Sequence, residues 1–203
     1  MLDRGLRSTF RNFATLFFVA AAVVVPLNLV NTYIFMDVER VREVEHQIRG
    51  LETEMILGVD AQRLDAAGRA RTLVLIVELL LIPALLGASR KVLDDDAGGR
   101  VPKASSALAT GFVRPRIAPL FQNPGLALSA LLLAGLVWFL VSRIGSVVAE
   151  ALYDEAAWAG VGLFRGLAVA IAAPFLLGPI AGWEEGKRRA ERVKGAPPGE
   201  PTS

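Results

Sequence analysis

Apolar and charged residues are segregated along this chain into alternating blocks. The first apolar block, about Phe13 to Phe35, holds no charged side chain. At about 1.5 Å of rise per residue it is long enough to cross the roughly 30 Å hydrocarbon core of a bilayer. Further blocks run from about Thr72 to Ala88, Gly125 to Ile144 and Ala159 to Trp183. Asn123-Pro124 opens the third block, and Pro26, Pro83, Pro174 and Pro179 lie inside the others. A proline within a span frees a carbonyl that a neighbouring group must satisfy. The pattern predicts an all-α integral membrane fold of four transmembrane helices. Residues 1–193 form one domain, and residues 194–203, rich in proline and glycine, form a disordered tail.

Arg4, Arg7 and Arg11 ahead of the first block resemble the basic start of a secretory signal. That block is longer than a signal's apolar core, however, and ends in bulky Tyr33, Ile34 and Phe35. A retained span is therefore predicted.

The connectors carry patterns of their own. In the segment 37–71, Val41, Val44, Ile48, Leu51 and Met55 recur at spacings of three and four, which places them on one helical stripe. Glu39 with Arg42 and Glu45 with Arg49 stand at helix-supporting spacing. A second short helix over about 61–71 would return the chain to the membrane, giving an external helical hairpin or a continuation of the first span. The stripe packs either on the protein's own second helix and the membrane surface, or on a second copy or a partner. Two heptads are too few to read as a coiled coil.

In the connector 89–124, Asp94 to Lys103 reads as a turn-rich loop. Carboxylates are hard metal ligands, but Asp94, Asp95 and Asp96 lack the ordered alternation of a calcium loop, so a solvated charge run is expected. Ser105 to Phe121, broken by Pro115 and Pro119, predicts a helix lying at the cytoplasmic interface. Leu6-x-x-x-Phe10 and Leu108-x-x-x-Phe112 each lead into a Leu-Phe pair and a span. That echo is compatible with a duplicated unit arranged as parallel repeats, and equally with chance likeness between apolar segments.

Lysine and arginine set the expected orientation. They crowd the N-terminal flank, the connector from Arg90 to Arg116 and the tail from Lys187 to Lys194, while the connector holding Glu150, Asp154 and Glu155 has none. The positive-inside rule then places both termini in the cytoplasm. The net charge of +2 is thus mostly topology, with contact to anionic lipid as a further consequence and no nucleic-acid partner implied.

Composition removes several chemistries. The chain has no cysteine and a single histidine, His46, which leaves no thiolate and no histidine-based metal site. Nothing matches a phosphate-binding loop, a dinucleotide fingerprint or a nucleophile elbow. No cofactor, metal or catalytic residue is expected.

Glu78, Arg143 and Arg165 lie inside predicted spans. An ionised group at the centre of a span costs about 2.5–3.5 kcal/mol on insertion scales and so faces protein or water. Counting residues from the span ends puts all three in the outer half of the bilayer, with Asn28 of the first span at similar depth. They form either an interhelical ion pair that fixes packing, or a polar pocket in which the arginines hold an anionic head group. Gly162-x-x-x-Gly166 matches the pattern that lets helix backbones approach closely, and packing within the chain is its expected use.

The opening, GLRSTFRNFATLFFVAAAVVVPLNLV, resembles the start of bacterial multi-pass proteins similar to the membrane domain attached to some glycerophosphodiester phosphodiesterases. The likeness is one of hydropathy over about 25 residues. Its count of about four spans departs from the usual six or so, and no catalytic domain is attached. The resemblance implies a non-catalytic bacterial inner-membrane module. Together these readings favour a non-enzymatic protein that organises lipid, a second copy or a partner protein. The competing expectation is a small oligomeric transporter or channel using Glu78 with Arg143 and Arg165.

Overall fold

The computed structural model describes residues 2–35, 61–151 and 157–195. The stripe Val41, Val44, Ile48, Leu51 and Met55, His46 and most of the tail lie outside them. Among the described residues the only regular structure is helical: α1 (Leu2–Arg11), α2 (Phe13–Ile34), α3 (Ala61–Ala97), α4 (Ala104–Val113), α5 (Ala118–Gln122), α6 (Pro124–Ala151) and α7 (Ala157–Gly195). Four of them are long and apolar enough to cross a membrane, over Phe13–Ile34, Asp65–Ala97, Pro124–Gly145 and Ala159–Arg188. Each coincides with or contains one of the apolar blocks read from the sequence, the first ending one residue early at Ile34.

The expected short helix over 61–71 is not separate. It is the first part of α3 and runs unbroken into the apolar block. The predicted break at Pro115 and Pro119 is present: α4 stops at Val113, and Pro119 sits in the first turn of α5. At the start of α6, the Asn123 side-chain oxygen accepts from Leu126 N–H at 3.1 Å. Asn at the cap with Pro124 at the first helical position is the pairing that helix starts favour.

The long helices contribute to two compact units, Met1–Val19 with Pro83–Ala134 and Ala173–Ser203, and Ala20–Ile82 with Gly135–Ala172. In the first unit, Thr9, Asn12, Leu16 and Val19 are buried, at the spacing of one helix face. Phe175 of α7 meets the rings of Phe10 and Phe13 at 5.7 and 5.8 Å. Gly178 lies so close to Thr9 that an added Cβ would overlap the hydroxyl. The short helix α4 lies against α3 through glycine: a Cβ on Gly87 would stand 2.6 Å from the Arg114 carbonyl oxygen, and one on Gly111 would overlap the Ala84 carbonyl. Arg116 N–H donates to the Pro83 carbonyl at 2.8 Å, so the turn after α4 is tied to the proline in mid-α3.

In the second unit, Ala20, Val24, Asn28 and Thr32 continue at every fourth position and are buried. They meet the small residues of α7. A Cβ on Gly162 would lie 3.2 Å from the Asn28 carbonyl oxygen, and one on Gly166 would lie 2.8 Å from Val25 Cα. The Gly162-x-x-x-Gly166 pair therefore serves packing within the chain.

Candidate functional site

Within the second unit, close glycine contacts set the register of the helices and thereby the depth of their polar residues. Arg165 sits between Gly162 and Gly166, which face Asn28 and Val25 of α2. Arg165 and Asn28 thus lie within about one helical turn of the same level. A Cβ on Gly145 of α6 would come 3.0 Å from Phe164 Cβ, which brings Arg143 to a similar level. Glu78 of α3 is joined to it directly, since Asn28 Nδ2 donates to Glu78 Oε1 at 2.8 Å. Four helices hence bring Asn28, Glu78, Arg143 and Arg165 to one layer.

The contacts inside that layer are more selective than charge alone suggests. The Asn28 amide also donates to the Val24 carbonyl of its own helix, at 3.0 Å, which fixes the side chain toward α3. Arg143 is exposed, with its guanidinium carbon 5.6 Å from the centre of the Phe139 ring. Arg165 is half-buried. Glu78 is half-buried too, although Leu73, Leu75, Ile76, Val77, Leu79 and Leu80 around it are exposed. An amide hydrogen bond is a good partner for a carboxyl in either protonation state, so the pair keeps a polar group inside an otherwise apolar helix at low cost.

A second ionic constellation lies in the first unit, where sequence reasoning placed only solvated charges. One oxygen of Glu184 receives three guanidinium groups: Arg90 and Arg116 at 2.7 Å each, and Arg188 at 3.4 Å. Arg90 also reaches Asp94 at 3.4 Å, and the Asp94 and Glu185 carboxyl groups are within hydrogen-bonding reach of one another. Asp95 pairs with Lys91 at 2.6 Å and Arg100 at 2.8 Å. Asp96 pairs with Arg11 and accepts from Asn12 Nδ2 at 2.9 Å.

The expected loop at Asp94 is therefore corrected. All three aspartates belong to the last turns of α3, Asp95 is buried, and each is matched with a cation. The aspartates oppose the helix dipole, which favours cations at this end, and the surrounding bases outweigh that opposition. Part of the network was readable, because Arg90–Asp94 and Lys91–Asp95 have the four-residue spacing of helical ion pairs. Glu184 gave a weaker signal, as an acid following Trp183 where the chain turns basic. Among the described residues, no three acids or histidines form a group able to hold a metal ion.

No protein-family model, curated protein or solved structure matches the chain.

Proposed function

We propose that this chain is a non-enzymatic, multi-pass membrane protein that works by associating laterally with a second copy of itself, with Glu78, held in place by buried Asn28, forming the polar contact of the seam. The observation that carries this reading is the setting of Glu78. It is a half-exposed carboxyl with an amide partner, on a stretch of α3 where Leu73, Leu75, Ile76, Val77, Leu79 and Leu80 are exposed. Lipid tails cover leucine as well as protein does, but they leave a carboxyl without partners. Polar residues at such positions join membrane helices by hydrogen bonds. Asn28 engages one oxygen of Glu78, and the rest of the carboxyl suits a two-fold seam, where a protonated copy donates and an ionised one accepts. The basic connectors support an orientation with both termini in the cytoplasm, in a bacterial inner membrane.

The absence of cysteine makes the test direct. Leu80, 72% exposed and two residues beyond Glu78, is changed to cysteine and the protein oxidised in native membranes. The expected result is a disulfide-linked dimer from Leu80→Cys that is lost when Glu78→Leu is added. A cysteine at exposed Phe18 provides the control for random collision. A protein that stays monomeric in both the cross-linking assay and nanodiscs overturns the reading.

A second reading is supported by the same carboxyl. A protonatable group with one amide partner, half-open to the surface, is what a proton- or cation-coupled carrier uses. In that case Glu78→Gln abolishes flux in proteoliposomes while leaving cross-linking at position 80 intact.

A further inference from the structure

We propose that the arginines around Glu184 form a binding site for the phosphate of an anionic glycerophospholipid. This inference concerns the first unit alone and does not depend on the self-association argued above.

The charge balance motivates it. A carboxylate carries one negative charge, and one oxygen of Glu184 is shared by Arg90, Arg116 and Arg188. Asp94 and Glu185 are the other acids at this place, and Arg90 takes up Asp94. With Arg114 and Lys187 beside them, five cations face these three acids, so positive charge is in excess. The three guanidinium groups differ in access. Arg90 is sealed, with its side chain 7% exposed, whereas those of Arg116 and Arg188 are 34% and 39% exposed. A guanidinium has five N–H donors in a rigid fork. Arg116 and Arg188 can thus hold Glu184 with one arm and present others outward, and such a fork matches a tetrahedral phosphate. Glu184 acts as the resident counter-ion that positions both forks.

The surroundings specify a lipid. The segment that carries Arg114 and Arg116 also carries Phe112, Val113, Ile117 and Phe121, all exposed. Apolar side chains on either side of arginines suit a site where tails and head groups meet. Trp183 ends the apolar part of α7, and Lys187 lies 5.8 Å from the centre of its ring, as at a membrane–water boundary. The Arg116 N–H bond to the Pro83 carbonyl anchors this segment on α3, and Arg188 is carried by the helix α7, so both forks start from ordered backbone, which lowers the ordering cost of binding.

The test uses the full chain in a neutral detergent. Short-chain phosphatidylglycerol, short-chain phosphatidylcholine and inorganic phosphate are titrated separately while the unfolding temperature is followed, and lipid retention is read by native mass spectrometry. The expected result is a saturable rise with phosphatidylglycerol only. R116Q/R188Q should weaken that binding about tenfold or more, the factor a single charge-assisted hydrogen bond carries. If the double variant does not fold, Arg188→Lys keeps the charge and removes the fork, and it should still weaken binding several-fold. Equal rises with both lipids, unchanged affinity in the variants, or an equal response to inorganic phosphate would each overturn the assignment. The last of these would mark a site for free phosphate.

Discussion

Two glycines illustrate how single residues are constrained where helices cross. A Cβ on Gly178 would overlap the Thr9 hydroxyl, whereas one on Gly186, further along the same helix, would meet nothing within 4 Å. Gly178→Ala is expected to destabilise by about 1–3 kcal/mol, the usual range for overpacking. Thr9→Ala added to it should recover much of the loss, because the two sites touch. Gly186→Ala should instead stabilise slightly, by about 0.5–1 kcal/mol, as removal of glycine from an exposed helix interior does. Thermal unfolding of the four proteins in one detergent decides the pattern. The same contrast applies to charge. Glu184→Gln leaves buried Arg90 with Asp94 alone as its carboxylate partner, and should cost up to about 3–5 kcal/mol, the loss for a broken buried pair. Asp65→Asn removes an exposed pair with Arg69 and should change little. The Asp65–Arg69 pair has a readable four-residue spacing, but the differences at Gly178, Gly186 and Glu184 were not legible in the sequence, because each depends on what lies opposite in space.

At the scale of the element, the end of α3 is the place where sequence reasoning and structure part. Helix ends are recognised by bases and glycine, and three successive aspartates argue for a loop. The helix nevertheless runs to Ala97 and closes at Gly98-Gly99, with Gly99 at φ +70° and Arg100 N–H donating to the Asp95 carbonyl at 2.8 Å. This is the glycine stop that α-helices commonly use, one turn later than the acids suggest. The acids are tolerated because Lys91, Arg90, Arg100 and Arg11 reach them. Arg11 comes from the far end of the chain, so its pairing could not be read locally. Asp96→Asn should therefore loosen α1 without unfolding the rest. The Arg11–Asp96 pair is exposed on its arginine side, 65%, so it contributes about 1 kcal/mol or less. Hydrogen exchange over residues 2–11 should quicken by up to about fivefold, the factor equivalent to that energy. High salt should produce a similar change in the unaltered protein. An unaltered exchange rate would show that Phe10, Phe13 and Phe175 hold α1 without help from charge.

For the molecule as a whole, the four spans were legible because hydropathy responds to the solvent around a segment, and lipid differs from water more than one protein environment differs from another. The grouping of Asn28, Glu78, Arg143 and Arg165 was open to sequence reasoning for a related reason: residue counting from a span end gives an expected height directly. Which of them touch was not, since that depends on helix rotation, and the hydrogen bond from Asn28 to Glu78 is one contact among several that the depths allowed. Orientation rests on a separate property, the distribution of lysine and arginine, which can be tested apart from packing. Asp65 precedes the apolar part of α3, and Lys103 follows its end; both side chains are exposed. If the basic segment from Arg90 to Arg116 stays on the cytoplasmic side, as the positive-inside rule requires, the two positions lie on opposite faces of the membrane. In sealed cells an impermeant maleimide should then label Asp65→Cys and spare Lys103→Cys until the membrane is opened. The cysteine-free sequence leaves no background signal. The reverse labelling would turn the arginine cluster at Glu184 toward the outer leaflet. The lipid proposed to bind there would then have to be sought among the anionic lipids of that face.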